Sequence, residues 1–159
     1  MTEPAKNPYS APTSRVDDAN AHRFSARVAF LCGCAGYGAA YTIGSVISPF
    51  WQHWLIGSGV PIEQLYGAFG SSLVINLVGQ LLNASAGVLA GYLAARYSPG
   101  VPLLHAAAAT IPMYVIVFAG HLGVYPSPFP FWSNALSILL PVPCALIGAN
   151  LWRRSARTP

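Results

Sequence analysis

Three carboxamides, Asn76, Gln80 and Asn83, lie inside an otherwise apolar run of this 159-residue chain, and no other side chains in it tell us as much. An unpaired amide in hydrocarbon costs several kcal/mol, so each of these must meet another helix or water. Two roles follow. The amides can glue helices together, each contributing on the order of 0.6 kcal/mol. Alternatively they line a polar cavity or solute path. Proline supplies candidate partners: Pro141 and Pro143 free the carbonyls of Ser137 and Leu139, and Pro112 frees that of Ala108. Counting inward along the last span puts the first two carbonyls near the depth of Asn76 and Gln80. Kinked helices beside an amide-bearing helix are common material for a transporter's binding site.

The remaining reactive types point away from catalysis. His105 and His121 are separated by about 24 Å along one helix, and a bis-His haem would need a partner for each at its own depth. His53 is a candidate for His121, but His22 lies in a polar tail and no span offers a histidine to His105. Both are therefore expected as imidazoles at helix ends. Cys32 and Cys34 stand roughly 200° apart on a helix and cannot share a metal or bridge each other, so the three cysteines are expected as packing residues. No span contains a carboxylate, which argues against an ion pump. The serine-elbow, zinc-helix and phosphate-loop patterns are missing. The expectation is no catalytic residue, no metal and no cofactor.

Composition explains where such residues must sit. The chain is 54% hydrophobic and 8% charged, against about 25% charged in a soluble domain. Eight basic and four acidic residues cannot cover a water-facing surface of this size, so most of the chain faces lipid. Net charge is +4, carried by residues scattered in ones and twos, which is a topology signal and not a nucleic-acid footprint.

A helix of roughly 20 apolar residues spans the hydrocarbon. Four segments qualify, at about 28–48, 70–95, 102–124 and 131–152, predicting an all-α membrane fold of four transmembrane helices. Residues 1–27 form a polar tail, expected to be disordered, and 153–159 a basic one. Pro49 to Phe69 is read as a loop, part of it a short interfacial helix with Glu63 and Gln64 facing water. RYSPG at 96–100 and YPSPFP at 125–130 are read as turns. Every basic residue falls in the first tail (Lys6, Arg15, Arg23, Arg27), the second connection (Arg96) or the last tail (Arg153, Arg154, Arg157). By the positive-inside rule both termini are cytoplasmic. Phe50, Trp51, Trp54, Tyr66, Tyr125, Phe129, Phe131 and Trp132 then form an aromatic belt on the outer side.

At 100° per residue the second span separates into two faces. Ser72, Asn76, Gly79, Gln80, Asn83, Gly87, Ala90, Gly91 and Ala94 fall within about 60° of one line. Large aliphatics, among them Ile75 and Leu82, take the side expected to face lipid. Gly87 and Gly91 make a GxxxG pair, and the first span repeats the device with Cys32, Gly36, Ala40, Gly44 and Ser48. Such faces pack closely, on each other or on a second copy of the chain.

The hairpin AGYLAARYSPGVPLLHAAA (Ala90 to Ala108), the ending PVPCALIGANLWRR and the Asn7-Pro8-Tyr9 of the tail resemble a pattern in uncharacterised small four-helix bacterial integral membrane proteins. The resemblance covers about the C-terminal half, and Ala90-Gly91 stands where Gly-Gly is usual. It implies a bacterial plasma (inner) membrane location and no particular activity. The leading expectation is thus a non-enzymatic accessory or oligomeric membrane subunit, with the lipid bilayer, a second copy or another membrane subunit as partner and no nucleic acid. The alternative is a small transporter or channel for a neutral or weakly polar solute, lined by the three amides and the proline breaks. A haem or quinone protein comes third.

Overall fold

The computed structural model describes residues 23–98, 100–121 and 128–156. Lys6, Arg15, His22, Arg157, residues 122–127 of the last turn and the side chain of His121 lie outside that set. Helices account for nearly all of the rest, with no strand among the described residues. They are α1 (Ala26–Gly57), a 3-10 turn (Ile62–Gln64), α2 (Leu65–Ser71), α3 (Leu73–Arg96), α4 (Pro102–Ala108), α5 (Ile111–His121), α6 (Phe131–Leu139) and α7 (Pro141–Ser155). Four units are long and apolar enough to cross a membrane: α1, α3, α4 with α5, and α6 with α7. Leucine, isoleucine, valine and phenylalanine crowd the exterior. Lipid replaces water as solvent for such a surface.

The first helix departs from expectation. Instead of ending before Pro49 it runs through to Gly57, 32 residues or about 48 Å. Pro49 removes only the donor that would meet the Ser45 carbonyl, a loss tolerated in membrane helices. The stop comes ten residues later, at Gly59. Its φ of +89° suits a residue without Cβ, and the N–H groups of Gly59 and Val60 donate back to Ile56 and Leu55. Ser25 caps the other end by accepting from the Val28 N–H at 3.4 Å.

The third and fourth units are each broken once. Between α4 and α5 the chain pivots at Ala109 and Thr110, two residues before Pro112, and the Thr110 hydroxyl donates to Ala107 O at 2.7 Å. Between α6 and α7 the break falls at Leu140, so Pro141 opens α7 where its missing N–H costs nothing. Tyr114 of α5 donates its hydroxyl to the Ile138 carbonyl at 2.8 Å, beside that break.

α3 is the central helix, packed mainly on α7 and then on α1. The seam is built from alanine and glycine. Ala90, Ala94, Ala106, Ala109, Ala145 and Ala149 are fully buried. A Cβ on Gly91 would run into the Ala145 backbone, and one on Gly148 into the Val88 backbone. Gly36 of α1 lies equally close to Ala86 and Ala90 of α3. Backbones approach closely where side chains are absent, and dispersion between them replaces the hydrophobic effect that lipid cannot supply. The two small faces therefore do not simply meet each other: Gly87 and Gly91 pack against Cys144 and Ala145 of α7. Ala40 packs at the edge of the α1–α3 cluster. Some lipid-facing assignments also change: Ile75 is buried, and Val78 and Leu82 line a cavity. Cys32 and Cys144 are buried, whereas Cys34 is exposed.

At the end of the bundle that carries the chain termini, His105 is fully buried, not interfacial. The Ser25 N–H donates to its Nε2 at 2.8 Å, and Nδ1 stands 2.9 Å from both the Val101 carbonyl and the Ser98 hydroxyl. Because Nε2 accepts, the network assigns the ring proton to Nδ1, where Val101 O receives it. One ring thus ties the start of α1 to the turn before α4, with Phe24 tilted over it at 4.8 Å.

Candidate intramembrane cavity

Beyond the alanine seam, towards the end away from the termini, the helices leave a partly open cavity of about 260 Å³. α1 contributes Gly44, Ile47, Ser48 and Trp51, and α3 contributes Asn76, Gly79, Gln80, Leu82 and Asn83. Met113 of α5, Ser133, Asn134 and Ser137 of α6, and the rings of Phe69 and Phe129 complete the wall. None of these residues is charged.

Two of the amides bond backbone carbonyls. Asn76, buried, donates from Nδ2 to Gly70 O at 2.6 Å and to Ser72 O at 2.9 Å. It thereby locks the sharp turn between α2 and α3, whose corner Ser72 also caps α3. Gly70 must be glycine there, since a Cβ would meet the Pro128 backbone and side chain. Gln80 reaches across to α6: Nε2 lies 2.9 Å from Ser133 O and 3.0 Å from the hydroxyls of Ser133 and Ser137. The Ser137 hydroxyl donates onward to Ser133 O at 3.0 Å, so it serves Gln80 as acceptor. Asn83, one turn deeper, makes no hydrogen bond among the described residues.

This differs from the expected pairing. Neither amide takes a carbonyl freed by Pro141 or Pro143. Asn76 is satisfied within its own turn, and Gln80 bonds one turn before the break, where serines stand at i and i+4. Four amide atoms remain buried without a partner among the described residues: Asn76 Oδ1, Gln80 Oε1, and both Oδ1 and Nδ2 of Asn83. Buried polar atoms are rarely left so, and each costs about 1–3 kcal/mol.

The structure thus brings Asn76, Gln80, Asn83 and Gly44 to one cavity, and leaves Gly36, Ala40, Gly87 and Gly91 in the seam below it. Pro141 is buried near Gly87, and Pro112 near Gly33. Reading the sequence missed Ser133 and Ser137, although two serines four apart in an apolar span are a visible signal. It also placed Trp51 in an outward belt, while the unbroken α1 turns that ring to the cavity. Both ring nitrogens of His105 are engaged, which leaves none for a haem iron. No protein family, curated protein or solved structure matches this chain.

Proposed function

We propose that this is a non-enzymatic, multi-pass protein of the bacterial plasma membrane that holds an uncharged polar small molecule between its helices, as a small transporter or channel does. One observation carries the reading: the three amide residues line one uncharged cavity and do not bond each other, and four of their polar atoms are buried without a partner among the described residues. Amides serving as glue would have spent those atoms on neighbouring helices. The uncharged wall fits a neutral solute and speaks against an ion. A second reading, as a homo-oligomer or accessory subunit, draws on α1, where Ala35, Gly38, Ala39 and Thr42 form an exposed strip of small residues.

Orientation follows from charge. Arg23, Arg27, Arg96, Arg153 and Arg154 gather at the end where Ser25 meets His105 and Tyr92 meets Trp152. The positive-inside rule makes that end cytoplasmic. A cysteine introduced at Ser58 should react with an impermeant reagent in intact cells. Reaction at Ser98 instead would reverse the topology.

The binding reading is tested by extraction. Protein purified from native membrane should release a small neutral compound in near-stoichiometric yield, identified by mass spectrometry. The same preparation of Gly79→Phe, which fills the cavity from an open position, should release none. Equal recovery from both proteins, or from neither, would reject a ligand at this site.

A further inference from the structure

A second hollow lies at the opposite end of the bundle, on its outer surface, and owes nothing to the amides. Phe24, together with Ala29 and Phe30 of α1, faces Ala108 and Ile111 across an open groove of about 390 Å³. The break between α4 and α5, at Ala109 and Thr110, opens this space, and the alanines on both walls leave it unfilled. One turn further along α1 the space closes, because Gly33 packs directly on the Ala109 backbone. At the other end Phe24 rests over the His105 ring at 4.8 Å.

Every residue lining the groove is apolar except Arg27. That side chain makes no ion pair among the described residues. Glu63, the single carboxylate in that set, belongs to the 3-10 turn at the far end of the bundle. A guanidinium at the edge of hydrocarbon calls for a counter-charge.

We propose that this groove binds an anionic phospholipid, with its phosphate on Arg27 and the upper part of one acyl chain between Phe30, Ala108 and Ile111. The planar guanidinium matches two phosphate oxygens at once. Phe30 and Ile111 are exposed to the lipid from which that chain would come. Arg23, Arg96, Arg153 and Arg154 gather anionic headgroups to the same end, and the groove gives one of them a fixed seat. A zwitterionic lipid carries its own cation and compensates Arg27 less. A free phosphate would leave the apolar walls uncovered.

Native mass spectrometry tests the site by counting lipids retained on the purified full chain. The protein is released from micelles doped equally with phosphatidylglycerol and phosphatidylcholine of the same acyl chains. One phosphatidylglycerol should be held with about a tenfold preference, the scale of one charge-assisted hydrogen bond. Arg27→Gln should level the two lipids. Ala26→Trp, which fills the groove from an exposed position and keeps the charge, should lose the retained lipid. Arg154→Gln removes the same charge from the same end and should keep the preference. No preference in the parent chain would overturn the proposal. An equal loss in Arg154→Gln would do so too, since it assigns the effect to diffuse surface charge. Retention unchanged in Ala26→Trp would put the lipid elsewhere and sink the groove. Excess inorganic phosphate should not displace the lipid; displacement would make this a site for a free anion and reject the phospholipid.

Discussion

The two halves of α3 run through one bundle and are built on opposite rules. From Ala86 to Ala95 the helix presents alanine and glycine, its neighbours touch it backbone to backbone, and Ala90 and Ala94 are fully buried. From Asn76 to Asn83 it presents amides, and the neighbouring helices stand off around a cavity. Glycine itself behaves differently in the two halves. A Cβ on Gly36, Gly87 or Gly91 would collide with a neighbouring helix, whereas one on Gly44 or Gly79 would meet nothing within 4 Å. The lesson is that small-residue spacing permits close approach without dictating it. Contact forms where both partners are small for two or more turns, and fails where one of them carries long polar side chains.

The largest effect should come from challenging that contrast directly. Gly91→Ala pushes a methyl into the Ala145 backbone, which cannot step aside as a flexible side chain would. A loss of about 3 kcal/mol is expected in a reversible unfolding titration in mixed micelles. Gly79→Ala at the open position should stay within about 0.5 kcal/mol of the parent. Equal costs at the two sites would erase the distinction between seam and cavity.

His105 sharpens the comparison from the packed end, where both of its ring nitrogens are matched. His105→Leu strands the Ser25 N–H and the Val101 carbonyl, and the loss should be about 2 kcal/mol by the same titration. Amide exchange at Ser25 should quicken in the variant. Unchanged exchange there would mean that the ring does not hold the start of α1.

The amides give the smaller, opposed effects. Gln80→Leu removes the donor to Ser133 and Ser137 and should cost about 1 kcal/mol, near the average for a polar contact between membrane helices. Ser133 O keeps its bond from Ser137, which limits the damage. Asn83→Leu discards two unpartnered atoms and breaks no bond, so stability should hold or rise by a few tenths of a kcal/mol. A loss at Asn83 as large as at Gln80 would show that Asn83 has a structural partner, and the binding reading would lose its strongest support.

Much of the architecture was legible without coordinates because it depends on local sums. Four apolar stretches of spanning length, their polar breaks and the one-sided basic residues are properties of short windows. The structure has four helical units long and apolar enough to cross a membrane in those places, the first extended to Gly57. Proline was legible in part. Pro141 marks a break because it opens a new helix, but Pro49 does not end α1, since it removes a single donor and the helix continues to Gly57.

What only the tertiary structure decided are pairings between residues far apart in the chain. Nothing near Gln80 in sequence says that its nitrogen faces Ser133, 53 residues away, or that its oxygen is left over. Nothing near His105 says that Ser25, 80 residues away, donates to it and draws a helix-end histidine fully inside. Hydropathy and periodicity report which face of a helix turns inward. Whether that face meets a backbone, a hydrogen-bond partner or an open cavity depends on the volume and chemistry of the helix opposite, and that helix is chosen only when the chain folds.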